Sequence, residues 1–155
     1  MNKNHSMIVF LLAVLTACLV GGCSAPKVKV SLSSTATLNM NEHKEALPVV
    51  VRIYQLRDNK AFESATFDEL WKSETSVLGN QLLRKEILTL DPASQQKLEI
   101  ERHDQAQFVG VMAAFHNQAD NNWRVIKRAD RSFLWIDLST NLEALLQDNS
   151  LRLVN

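Results

Sequence analysis

The most strongly patterned stretch of this chain is residues 47–56, LPVVVRIYQL, where three consecutive valines are followed by Arg52, Ile53 and Tyr54. β-Branched and aromatic side chains crowd the preceding turn of a helix but fit a pleated surface, so the run predicts a strand. Alternate residues of a strand point to opposite faces: Val50, Arg52 and Tyr54 to one, Val49, Val51, Ile53 and Gln55 to the other. Apolar residues on both faces predict a central strand covered on both sides. Pro48 can open it, because its missing N–H falls before the paired ladder begins.

Upstream, the even positions Val28, Val30, Leu32, Ser34, Ala36, Leu38 and Met40 alternate with Lys29, Ser31, Ser33, Thr35, Thr37 and Asn39. Period-two alternation of this kind predicts a strand with one wet face, running as far as Met40. The polar stretch 39–46 then forms a connecting loop before the central strand. Downstream, residues 57–60 carry turn chemistry. Thr66 with Glu69 forms a capping-box signature ahead of Phe67, Leu70 and Trp71 at helical spacing, with Phe62 just upstream, which predicts one short helix packed on the sheet. Leu78-Gly79 marks a turn, and 82–90 is a strand.

Asp91-Pro92-Ala93-Ser94 has the preferred occupants of the first two positions of a type I turn. With the return strand 97–101 it predicts a hairpin. Residues 107–115, QFVGVMAAF, are apolar on both faces and predict a second buried strand, in which Gly110 and the two alanines leave room for a close neighbour. The polar run 116–122 leads into 123–128, and 132–138 reads as a further strand. Thr140 with Glu143 either caps a short helix through Leu146 or belongs to an irregular bridge to a last strand at 151–154. Seven or eight short strands with one helix predict an all-β fold, a two-sheet β-sandwich with one short added helix.

The first 23 residues stand outside that fold. Lys3 supplies a positive start, and 7–20 is apolar apart from Thr16, too short for a comfortable membrane span and suited to an export signal. It ends in Val20-Gly21-Gly22-Cys23, which resembles the lipobox of bacterial lipoproteins: an apolar residue, two small ones, then the cysteine that receives lipid. Leu15-Thr16-Ala17-Cys18 also fits the pattern. Cys23 leaves a fuller hydrophobic core to the signal and does not leave Leu19-Val20 at the start of the mature chain. The organisation expected is a signal peptide 1–22, a lipidated tether 23–27 and a sandwich domain 28–155. Both cysteines are then used, so no disulfide forms despite an oxidising compartment. Ser24, after the cysteine, lacks the aspartate that resembles an inner-membrane retention signal, and an outer-membrane address is implied.

Composition narrows the function classes. The chain has 155 residues, 46% hydrophobic, with 17 basic and 17 acidic side chains. Balanced charge without a basic run interleaved with aromatics excludes nucleic acid as the expected partner. No nucleophile elbow, phosphate-cradling glycine loop or zinc-protease helix is present. His43, His103 and His116 fall in polar segments at spacings that do not converge, so no metal, cofactor or small-molecule substrate is expected and the chain is not read as an enzyme. From the residues alone, the long, charged 39–46 segment is either a partner-binding loop or a solvated connector.

The ordered set Val49-Val50-Val51-Arg52-Ile53-Tyr54-Gln55-Leu56, Ala61-Phe62, Phe67, Leu70, Leu78-Gly79, Val109-Gly110-Val111, Ala113-Ala114-Phe115 and Trp123-Arg124 resembles the TssJ (SciN) family of type VI secretion lipoproteins. The resemblance covers nearly the whole chain from Val28. It implies a transthyretin-like sandwich with a helical addition, lipid-anchored to the periplasmic face of the outer membrane. It further implies binding to the periplasmic C-terminal region of TssM, and so a part in the trans-envelope complex. The family's loop between the first two strands, a main contact, falls here on Asn39, Met40, Asn41, Glu42, His43, Lys44, Glu45 and Ala46. Family members often carry proline and glycine there; this sequence has neither before Pro48. The alternative is a periplasmic ligand-binding or hydrolytic transthyretin-like lipoprotein, which would need a pocket lined by His103 or His116.

Overall fold

In the computed structural model, which describes residues 25–118, 122–129 and 139–154, the central stretch is β2 (Val49–Leu56). It follows β1 (Lys27–Ser34) and precedes helices α1 (Lys60–Ser64) and α2 (Phe67–Leu78) and a 3₁₀ turn, Gly79–Gln81. Then come β3 (Leu82–Leu90), β4 (Gln95–Glu101), β5 (Phe108–Ala113), β6 (Arg124–Arg128), β7 (Thr140–Gln147) and β8 (Ser150–Leu153). Among the described residues the strands form two four-stranded sheets, β4-β1-β7-β8 and β3-β2-β5-β6. β1 and β7 are parallel; the other pairings are antiparallel.

β2 is covered on both faces, as its pattern predicts. Val49, Val51 and Ile53 are buried on the face they share with Val111 and Ala113 of β5. From the opposite sheet Val28, Val30, Leu32, Leu142, Ala144 and Leu146 join the same core. The other face of β2 lies under the helices: the Tyr54 and Phe62 rings are 5.6 Å apart, and the Arg52 guanidinium donates to the carbonyls of Leu70 and Trp71. The capping box that starts α2 is present in both directions: the Glu69 amide donates to Thr66 Oγ1 and the Thr66 amide to Glu69 Oε2. These bonds to the ionised form hold the Glu69 carboxyl below the usual carboxylate range.

Four sequence expectations are corrected by the structure. β1 stops at Ser34 rather than continuing to Met40, because the chain turns at Thr35, whose carbonyl accepts from the Leu38 amide, and Asn39 takes a left-handed φ of 52°. Leu38 is still buried, since the turn drops it back into the core, whereas Ala36 of the same alternating series is exposed. Strands β3 and β4 do not form a hairpin; they belong to different sheets, and 91–94 carries the chain across the sandwich corner. Ala93 has φ 51°, where a type I turn requires a negative value. Residues 140–147 are a strand, neither a helix nor an irregular bridge, with Thr140, Leu142, Ala144 and Leu146 buried at period two. The single expected helix is preceded by the extra turn α1, which carries Phe62 onto β5. The strand expected at 132–138 lies outside the described residues.

The register sorts the connections to two ends. At one end, Arg102 N–H donates to the Pro26 carbonyl, Lys27 N–H to Ser139 Oγ and Gln107 N–H to the Leu56 carbonyl. At the other, Ala93 N–H donates to the Thr35 carbonyl, Asn39 N–H to the Asp148 carbonyl and His116 N–H to Asn39 Oδ1. The chain therefore enters the sandwich at the end opposite the β1–β2 loop.

Candidate partner-binding loop

The loop between β1 and β2 hangs on Asn39. This residue is 5% exposed, and both ends of its amide are used: Nδ2 donates to the Pro48 carbonyl at 2.9 Å and Oδ1 accepts from the His116 amide at 2.6 Å. Asparagine tolerates a left-handed backbone better than most residues because its short side chain can bond locally. The Asn39 backbone amide reaches the turn between β7 and β8 at Asp148, and the Leu47 amide closes the loop on the Leu38 carbonyl. Both sheets thus hold its base.

Asn41 then shapes the tip. Its Oδ1 accepts from the amides of His43 and Glu45, each at 2.9 Å, and its Nδ2 donates to Glu45 Oε2 at 2.8 Å. The Asn41 amide donates to the Glu45 carbonyl, and the Lys44 amide to the Asn41 carbonyl. An asparagine that bonds the backbone two residues on mimics a turn, which gives this loop a defined shape without proline or glycine. Lys44 takes the second left-handed position, φ 60°.

The eight sequence-predicted residues are consequently unequal. Glu42, His43, Lys44 and Glu45 are exposed, Met40, Asn41 and Ala46 are half-buried, and Asn39 is turned inward. Glu45 is engaged by Asn41, so the side chains presented at the tip are Glu42, His43 and Lys44, one acidic, one imidazole and one basic. Sequence reasoning missed the residues that fix the loop, His116 and Asp148. They come from remote turns and carry no local signal. Cys23 and Cys18 lie outside the described residues.

A second polar cluster sits beneath α2. Glu74 accepts from Arg52 Nη1 at 3.1 Å, from the Tyr54 hydroxyl at 2.9 Å and from Lys85 Nζ. Burial alone would raise the Glu74 carboxyl, but hydrogen bonds from Lys85 and Tyr54 and the charges of Lys85 and Arg52 outweigh it and hold the group below the usual carboxylate range. Tyr54 is pushed well up, chiefly by burial. The Arg52 guanidinium also stacks on Trp71, 3.9 Å from the ring centroid. Every member joins β2 or β3 to α2, so the cluster fastens the helix at the point where Ser73 departs from helical geometry.

The histidines do not come together: His43 and His116 belong to the loop end and His103 to the opposite end, where its Nδ1 accepts from the Gln105 amide. Among the described residues no group of three or more His, Cys, Asp or Glu side chains could hold a metal ion. Among the same residues no helix is long and apolar enough to cross a membrane.

A sequence search of curated proteins finds no match. The family model T6SS-SciN, described as type VI secretion lipoprotein, VasD, EvfM, TssJ, matches residues 26–149. Among solved structures, the Serratia marcescens protein Lip, described as a membrane-bound component of the type VI secretion system, superposes with a TM-score of 0.76 at 23% identity, covering 85% of this chain and 98% of that one. A chain of a type VI membrane complex gives 0.74 at 27% identity, covering 85% of this chain and 100% of that one. A chain of the structure described as the TssM C-terminal domain from EAEC gives 0.71 at 27% identity, covering 83% and 98%.

Proposed function

This chain belongs to the type VI secretion lipoprotein family that includes TssJ, and from that premise we propose that it is the outer-membrane anchor of the secretion apparatus, holding the periplasmic C-terminal region of TssM through the loop at 39–46. In this reading residues 1–22 are the export signal, Cys23 receives lipid, 23–27 is the tether and 28–155 the sandwich. The domain then hangs from the periplasmic face of the outer membrane by acyl chains worth ~0.8 kcal/mol per buried methylene, an effectively permanent attachment.

One observation carries the reading: the chain enters at the Pro26 end of β1, and the self-braced loop stands at the other end. Lipid and partner therefore do not compete for one surface, and the loop points away from the membrane that the tether would reach. The TssM assignment draws support from the two solved structures at 27% identity, a type VI membrane complex and the TssM C-terminal domain.

The test is calorimetric titration of residues 24–155 with the periplasmic C-terminal region of the cognate TssM, beside a variant whose 40–45 segment is a Gly/Ser linker. Binding lost in a still-folded variant supports the loop as the contact. Binding kept by the variant moves the interface elsewhere on the sandwich, and binding by neither overturns the anchor reading.

A further inference from the structure

β1 lies inside its sheet. It is paired with β4 from Lys27↔Glu101 to Ser33↔Gln95 and with β7 from Val28↔Thr140 to Ser34↔Leu146. Its first residue follows the segment that comes from the N-terminus, and its last leads into the loop braced by Asn39. The strand is eight residues long, so its ends are seven steps apart, about 23 Å at ~3.3 Å per residue. Tension between these points runs along the strand axis. A pull parallel to a strand strains its ladder bonds together, whereas a pull across one end opens them one after another.

The loop base extends the same arrangement. Thr35 N–H donates to the Leu146 carbonyl, continuing the β7 ladder past the end of β1, and Ser34 N–H donates to the Ser94 carbonyl, just outside β4. Asn39 then links onward to Asp148 in that sheet's turn, and to Pro48 and His116 beside the strands of the other sheet. Load applied at the tip is thereby shared between both sheets before it reaches β1.

We propose that β1 is the strand that transmits force through this domain, carrying tension between membrane lipid and bound partner as shear across β4-β1-β7, with Asn39 distributing that load at the loop base. The proposal rests on the anchor reading above for the two points of attachment. A partner that pulls away from the outer membrane would act on this axis.

The sequence holds cysteine at positions 18 and 23 and nowhere after them, so residues 24–155 can carry thiol handles at chosen sites. Among the described residues the buried core runs from Val28 to Leu151, all within that stretch. Force spectroscopy would compare A25C with H43C, which loads β1 lengthwise, against A25C with D104C, whose handles lie at one end and peel β1 from β4. Residues 25, 43 and 104 are exposed, and E42C serves in place of H43C if urea midpoints show misfolding. A severalfold higher rupture force for the lengthwise pair is expected, reduced by N39A. Equal forces in the two geometries would overturn the assignment of β1. Unequal forces, with TssM binding lost on substitution outside 39–46, would overturn instead the reading on which it rests.

Discussion

The Phe62 ring stands 2.9 Å from the point that a Cβ on Gly110 would occupy. α1 thus lays its one buried side chain directly on the backbone of β5, and the Arg124 guanidinium locks it there by donating to the carbonyls of Phe62 and Ala65. Gly110→Ala would press a methyl into the buried Phe62 ring, which must shift to admit it. Overpacking of this kind costs about 1–3 kcal/mol, read as a lower urea midpoint, and Phe62→Leu in the same chain should recover part of it. A wild-type midpoint for Gly110→Ala would show that α1 is free to move.

Glu74 should make stability depend on acidity in a defined direction. Its carboxyl is held below the ordinary value when folded, while in the unfolded chain it titrates near ~4.3. Between those values the unfolded state binds more protons, so the contribution is fully present above the unfolded value and is lost as pH falls through the folded one. Glu74→Gln leaves Arg52 and Lys85 facing a neutral group and should cost about 2–4 kcal/mol at neutral pH. The difference between wild type and variant, followed by urea denaturation, should be flat from neutral pH down to the carboxylate range and shrink below it. A gap that widens on acidification would contradict the sign.

How legible these features were depended on how local their causes are. β2, the Thr66–Glu69 capping box and the close neighbour of Gly110 announce themselves because β-branched runs, capping pairs and small residues act over a few positions. β7 does not: Leu142, Leu145 and Leu146 fit a helical face, while Leu142, Ala144 and Leu146 fit a strand face. The choice falls to β1, more than a hundred residues upstream, which offers a parallel ladder and a core for one face. The corner at 91–94 is similar, since turn chemistry fixes a reversal but β1 determines which sheet receives β4. The position of the 39–46 loop could be read from its polarity. The inward turn of Asn39 could not, because the groups it binds come from the far side of the chain.

In the proposed anchor the acyl chains sit on Cys23, so Cys23→Ser should release the protein from the membrane fraction into the soluble periplasm and abolish secretion. Fractionation and immunoblotting measure it. Retention of the variant in the membrane fraction would transfer the lipid to Cys18, and Cys18→Ser should then release it.

The candidate loop should divide into residues that shape it and residues that touch. Asn39→Ala leaves the His116 amide and the Pro48 carbonyl without their buried partner and places alanine at φ 52°. Two lost hydrogen bonds and the left-handed backbone together should cost about 2–4 kcal/mol. Asn39→Gly removes the same bonds but relieves the backbone, so it should lie between the wild type and Asn39→Ala. At the tip, alanine in place of Glu42, His43 or Lys44 removes exposed side chains and should change stability by no more than about 0.5 kcal/mol each. The two groups should also weaken TssM differently. Tip variants should lose affinity with an unchanged urea midpoint, because a contact has gone, whereas Asn39 variants should lose both together, because the loop's shape has gone. Asn39→Ala with wild-type stability and wild-type affinity would remove this residue from both roles, and a tip variant that unfolds the domain would show that the tip braces the sandwich.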